Sequence, residues 1–234
     1  MKLTSSFWQN YFKAYDVLNM VYPYQVHLDT IAEYCGLQKD GRVLDAGCGT
    51  GNLSCKLGRH CSNVIGIDNV EAALVICRNK VPDADFILHD LNEPLPFTDN
   101  YVDAIVCNFI IHILSPGRRP FLIQEFYRIL KPGGKIVISN PGKDFSSLAV
   151  YKAHLRHERE RFGRIITLVR AARLVLPTLR MFYYSSKIQD NAKGGDLSFF
   201  IPGEQRQLLE RAGFNTSPEQ LSYAGQGLLI VGRK

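Results

Sequence analysis

The chain has 234 residues, 46% of them hydrophobic, with a formal net charge of +6 and a pI near 9.0. This length supports one large domain or a domain carrying an insertion, and this composition excludes disorder as the main state. The charge is local: residues 152–180 hold eight Lys/Arg and two acids while the remainder is balanced, which argues against a whole-surface nucleic-acid binder, so no nucleic-acid partner is expected.

The opening, "MKLTSSFWQNYFKAYD", lacks the apolar centre of a signal peptide, and no apolar run reaches membrane-spanning length. A cytoplasmic protein is the expectation. Phe7, Trp8, Tyr11, Phe12, Tyr15 and Leu18 recur at helical spacing. Pro23 should end that helix, and a second should run from about Tyr24 to Cys35 and stop near Gly36. The six cysteines form no CxxC pair and read as reduced core thiols, with no metal site.

From residue 42 the pattern changes. "RVLDAG", "NVIGID", "ADFILHD", "YVDAIVCN" and "KIVISNP" are short apolar runs. "GNLSCKLGRH", "NVEAALVICRNK" and "RRPFLIQEFYRILKPGG" between them read as helices, the last closed by Pro132, Gly133 and Gly134. Such alternation predicts a parallel sheet covered by helices on both faces. Residues 142–201 break the alternation and read as helices and loop. "PGEQRQLLERAGF" follows as a helix, and "NTSPEQLSYAG" with "GLLIVGRK" as a closing pair of strands. The expected organisation is a helical cap over 1–36, a binding domain over 37–141 and 202–234, and a helical lid or substrate insertion over 142–201.

"VLDAGCGTG" carries the first chemistry. Gly47, Gly49 and Gly51 let the backbone turn tightly and approach a ligand. The dinucleotide fingerprint wants G-x-G-x-x-G, but Asn52 stands where its third glycine belongs, and Asp45 precedes the loop. A carboxylate repels a pyrophosphate and attracts an amine or a sulfonium, so the pattern favours a cofactor that is cationic at its reacting end. Asp68, ending the second strand, can accept from both hydroxyls of a ribose. Asp90, ending the third, can accept from an exocyclic amine, with Leu91 packed beside the base.

Together, "VLDAGCGTG", "VIGID", "FILHDLNEPLPF", "YVDAIVCNFIIHIL" and "ILKPGGKIVISNP" resemble the class I S-adenosylmethionine-dependent methyltransferases, and most of all the ubiquinone/menaquinone group. The likeness is strong over about residues 40–141 and moderate over 202–234. It implies an α/β, Rossmann-like, doubly wound seven-stranded sheet of order 3-2-1-4-5-7-6 with the last strand antiparallel. It also implies S-adenosylmethionine as cofactor, with S-adenosylhomocysteine as product. In that likeness Asp45 and Gly47 face the methionine part, and Cys48 and Gly49 line it by backbone. Asp68 holds the ribose, Asn69 flanks the adenine, Asp90 and Leu91 read its edge, and Asn108 meets the methionine end. Ala46 and Phe109 complete the cofactor-binding set.

His112 is the candidate base for methyl transfer; lining the cofactor pocket is the alternative. Tyr11 and Tyr15 are candidate acceptor contacts if the first helix caps the site, and otherwise belong to a docking face. In this family an insertion after the fifth strand covers the acceptor, which makes Tyr183 and Phe199, with Met181, Phe182, Tyr184 and Phe200, candidate pocket walls. The basic stretch 152–180 fits a solvated lid, a peripheral contact with a membrane surface or lipid-like substrate, or a partner or dimer interface. The expected acceptor is a small, largely apolar molecule and the expected assembly a monomer or homodimer. A nicotinamide-dependent oxidoreductase and a non-catalytic S-adenosylmethionine-binding subunit are the alternatives.

Overall fold

The computed structural model describes residues 4–193 and 199–234. The first half contains α1 (Ser5–Tyr15), a 3-10 turn (Asp16–Met20), α2 (Tyr22–Cys35), β1 (Arg42–Ala46), α3 (Asn52–Leu57), β2 (Asn63–Asp68), α4 (Glu71–Lys80), β3 (Asp85–Leu88) and β4 (Val102–Asn108). The second contains α5 (Arg119–Ile129), β5 (Leu130–Pro141), α6 (Ser147–Lys193), α7 (Glu204–Arg211), β6 (Asn215–Thr216), β7 (Gln220–Ser222) and β8 (Gly227–Arg233).

The sheet order is β3-β2-β1-β4-β5-β8-β6, with β7 also paired to β8. β1 to β5 are parallel and β8 is antiparallel to β5. This is the doubly wound sheet the sequence implies, with its sixth strand in two pieces. β6 and β7 both pair with β8, and Pro218, which has no N–H to offer a ladder, lies between them. A second difference concerns α5. The helix ends at Ile129, before the Pro-Gly-Gly, and Leu130 already has extended backbone (φ −76°, ψ 135°) and pairs with Val102. Pro132 disfavours helix at Lys131, so the chain leaves the helix early and enters β5 directly.

Side-chain alternation along β1 separates two cores. Leu44 and Ala46 pack with Ile67, Ile105, Leu122 and Phe126 on the α5 side. Val43 packs with Val64, Val106, Leu28, Ile31 and Leu57 on the side of α2 and α3. Asp45 shares the second face and is buried there. Strand order reverses across β1 and β4, so their carboxyl ends open a crevice between the two halves.

α1 and α6 close over that crevice. Tyr184 of α6 meets Phe7 and Tyr11 of α1 edge-on, with ring centres 5.3 and 6.0 Å apart. Gly163, at φ 77° and ψ 173°, interrupts α6 and divides it into arms over 147–162 and 164–193. The turns on from α1 are tied to the glycine loop by polar contacts. Thr50 Oγ1 donates to Asp16 Oδ1 at 2.8 Å, and Asn19 Nδ2 to Asn52 Oδ1 at 2.8 Å. Lys80 pairs with Asp16 at 2.7 Å.

Candidate active site

The glycine loop is built on left-handed backbone. Gly47, Gly49 and Gly51 have φ of +78°, +54° and +76°, a region that favours glycine. A Cβ on Gly47 would collide with Ile110, and one on Gly51 would come within 3.0 Å of the Cys77 sulfur. The loop satisfies its own amides. Gly47 and Cys48 N–H both donate to Ile67 O, Gly49 N–H donates to Asp68 Oδ2, and Gly51 N–H to Cys48 O, all at 2.8–2.9 Å. A pyrophosphate cradle needs such amides free. Here they hold the loop against the end of β2.

What the loop presents to the cavity is negative charge. The Asp45 carboxylate is 1% exposed and accepts a 2.6 Å hydrogen bond from Ser54 Oγ. Burial pushes its pKa up to about 7, against the pull of Ser54 and with a further push from Asp68. The Asp68 carboxylate accepts from Gly49 N–H through one oxygen and Val70 N–H through the other. Burial raises its pKa as well, opposed by those backbone donors. Among the described residues neither acid has an ion-pair partner. Two buried carboxylates open to one cavity call for a cation and for hydroxyl donors from outside the chain.

One cavity gathers most of the sequence candidates. Asp45, Gly47, Cys48, Gly49, Asp68, Asn69, Asp90, Leu91, Asn108, Phe109, His112, Tyr11, Tyr15 and Phe199 all line it. Asp90 is at the exposed rim, where its Oδ1 accepts from Asn92 N–H and Nδ2. Four candidates lie outside it. Ala46 does not line the cavity: it alternates away from Asp45 into the α5-side core. Tyr183 is also outside, 58% exposed. Successive helical residues are turned by about 100°, so the wall that Met181 and Phe182 form leaves Tyr183 pointing to solvent. Phe200 is fully buried under the Arg119 guanidinium, 4.6 Å from its ring centre. Tyr184 packs on α1 rather than on the cavity.

His112 occupies a dry place. Its backbone N–H donates to Asn140 Oδ1 at 3.1 Å, its ring lies 5.7 Å from that of Phe199, and among the described residues its buried Nδ1 has no hydrogen-bond partner. Burial lowers its pKa to about 3, with the Arg119 charge adding to the effect. At neutral pH it is an uncharged ring with a weak appetite for protons. The cavity tyrosines are equally reluctant to ionise. Burial lifts Tyr15 to about 12 and raises Tyr11 and Tyr24 too.

Three features escaped the sequence reading. His27, on α2, bonds Asn108 Oδ1 through Nε2 at 2.8 Å and stacks on Phe109 with ring centres 5.1 Å apart. Phe109 itself holds φ +57°, a strained conformation for a bulky residue, pinned by its N–H to Ser139 O at 2.7 Å. Asn140 Nδ2 donates to Gln205 Oε1, which continues the network under His112 into α7. His27 lies 81 residues from Asn108, and no local spacing signals such a pair.

Comparison with known proteins decides the family. A methyltransferase-domain family model matches residues 43–134. A demethylmenaquinone methyltransferase from Tropheryma whipplei is 31% identical over 224 residues, covering 92% of this chain and 85% of that one. The chain is a class I S-adenosylmethionine-dependent methyltransferase. A ubiquinone/menaquinone biosynthesis C-methyltransferase from Proteus mirabilis is 28% identical over 166 residues, 65% of each chain. In structure, a TehB-like S-adenosylmethionine-dependent methyltransferase from Corynebacterium glutamicum superimposes with a TM-score of 0.64. It is 16% identical and covers 99% of this chain and 100% of that one. The methyltransferase uses S-adenosylmethionine as cofactor and methylates a small substrate, and the nicotinamide alternative is set aside. The residues present fit the group: among the described residues, two buried acids without ion-pair partners line one cavity, a set of acceptors suited to a cation and to ribose hydroxyls.

Proposed function

We propose that the methyltransferase acts on a small, largely apolar acceptor, aromatic or polyketide- or terpenoid-like, held between the glycine loop and the lid. The observation that supports this is the division of the cavity wall. Its acids lie at one side, on the ends of β1 and β2, while Trp8, Tyr11, Phe145, Tyr151, Met181 and Phe182 face them from α1, α6 and the β5–α6 turn. Relatives named for menaquinone and ubiquinone biosynthesis agree with such an acceptor. When bound, the cofactor supplies a methyl group activated on a sulfonium.

The chain's own part is placement. Asp45 would take the amino end and Asp68 the ribose, while Asn69, Asp90 and Leu91 would border the adenine at the rim. Asn108 would offer Nδ2, its Oδ1 being held by His27. The α1 aromatics and the α6 lid, together residues 1–36 and 142–201, would exclude water and align the acceptor. A neutral His112 with a pKa of about 3 suits a lining and hydrogen-bonding role better than proton abstraction. The acceptor would then arrive already nucleophilic, as a phenolate or an electron-rich carbon. We further infer a cytoplasmic protein, peripheral to a membrane when it meets a lipid-like acceptor.

Calorimetric titration of S-adenosylmethionine into wild type and Asp68→Ala tests the site, followed by turnover on phenols and quinols against hydrophilic amines. Micromolar binding lost in the variant, with turnover confined to apolar acceptors, is expected. Preference for the hydrophilic set would overturn the acceptor class.

A further inference from the structure

The second arm of α6 has two faces. Its inner face carries Leu174 and Met181, both buried, and Thr178, which lines the cavity with Met181. Its outer face carries Ile165, Leu168, Val169, Leu176, Leu179 and Tyr183. Each is three, four or seven residues from another of the set, so they form one stripe along the helix. Ile165 is 80% exposed, Leu176 72% and Leu168 71%. An apolar stripe this long in water is the signature of a surface meant to be covered.

The charges beside it say by what. The second arm, residues 164–193, contains six Lys/Arg and one acid, Asp190, near its far end. Arg164 and Arg180 are exposed, and helical pitch puts one on each flank of the stripe. Arg170 already meets Glu158 of the first arm at 2.9 Å, so the positive charge on the flanks of the stripe rests on Arg164 and Arg180. We propose that this face docks on an anionic lipid surface. The aliphatic side chains would enter the acyl boundary while the arginines bind headgroup phosphates. Among the described residues no helix is long and apolar enough to cross a membrane, so the contact is in the plane of the interface. A second copy fits the face poorly. Stripe against stripe would bring arginine rows together, against a single acid in the arm, Asp190 near its far end.

The same helix lines the cavity with its inner face. Docking therefore sets the cavity beside the phase into which an apolar acceptor partitions. That last step rests on the acceptor reading above; the docking surface does not.

The test is sedimentation of the full chain with vesicles of phosphatidylcholine alone, and of phosphatidylcholine mixed with phosphatidylglycerol, at low and high NaCl. Binding to the anionic vesicles at least ~10-fold tighter, and weakened by salt, is expected. Leu176→Glu with Leu179→Glu should lower it by ~10-fold or more, since each places a charge in the acyl boundary. Arg164→Gln with Arg180→Gln should reduce the anionic preference. All variants should keep wild-type affinity for S-adenosylmethionine by calorimetry, which shows that they fold. Equal binding to both vesicle types, or to neither, would overturn the proposal. So would a homodimer in sedimentation equilibrium that the leucine variants dissolve. Failure of the cofactor reading would appear in the calorimetry and leave the vesicle result standing.

Discussion

Asp45 shows how a binding residue taxes the fold that holds it. With its folded pKa raised to about 7 by burial, it favours folding below its unfolded value of about 3.9, and that contribution is lost as pH rises through 7. His27 and His112 run the other way. Their folded values are lowered to about 4 and about 3, so their contribution is present above the unfolded value of about 6.5 and is lost as pH falls through the folded ones. Asp45→Asn should therefore raise the ligand-free stability at pH 8 by about 1–2 kcal/mol, seen as a Tm increase of roughly 2–8 °C. The same variant should bind S-adenosylmethionine at least ~10-fold more weakly, because it no longer offers charge to an amine. Wild-type affinity should fall as pH drops below 7, since the cationic ligand must first displace the carboxyl proton. A flat affinity between pH 5.5 and 8 by calorimetry would remove Asp45 from the cationic end. His27 gives a second test at this scale. His27→Leu leaves Asn108 Oδ1 buried without its donor and should weaken cofactor binding by ~10-fold. His27→Gln, which can restore an N–H, should recover most of it. Equal losses in both would mean that His27 acts through packing on Phe109 alone.

Among the elements, legibility followed the range of the forces involved. The alternate glycines, and the acids at or just past the ends of β1, β2 and β3, are local signals, and the sheet order with its antiparallel β8 came with the motifs that contain them. Ala46 and Tyr183 lie outside the cavity because a motif names a stretch, while strand alternation and helical pitch decide which side chain enters it. α5 ends before the glycines that suggest its stop because Lys131 precedes a proline, and extended backbone begins at Leu130. His27–Asn108 and Asn140–Gln205 are contacts between distant segments, and only the packed molecule brings them together. The loop itself makes the prediction for this scale. Gly47→Ala places a Cβ at φ +78° and against Ile110, and should destabilise by about 1–3 kcal/mol. Urea unfolding should show a lower midpoint at an unchanged slope, with cofactor binding lost. An unaltered midpoint would mean that Ile110 yields freely and that the positive φ is not required.

Across the whole molecule, an open sheet with acids at its centre is covered by two pieces from either end of the crevice, α1 and α6, which touch each other through Phe7, Tyr11 and Tyr184. The covering pieces carry the aromatic wall and the sheet carries the charge, so the cavity is complete only when both are in place. The chain's single tryptophan, Trp8, is on the covering side and lines the cavity. Its ring meets Tyr11 edge-on at 5.5 Å, and Phe12 beside it approaches the glycine loop within 3.2 Å of where a Gly49 Cβ would stand. Intrinsic fluorescence excited at the indole therefore reports one place, the cap over the cofactor end. Titration with S-adenosylhomocysteine should change Trp8 emission saturably, at the affinity that calorimetry gives. Asp68→Ala should shift the curve to higher concentration without changing its amplitude, because the indole is left in place and only the anchoring acid is lost. Hydrogen exchange should slow over α1 in the same titration, while the strands of the sheet, already buried, keep their rates. A cap that exchanges equally fast with and without ligand, under a normal calorimetric signal, would separate α1 from the binding event and leave α6 alone to close the site.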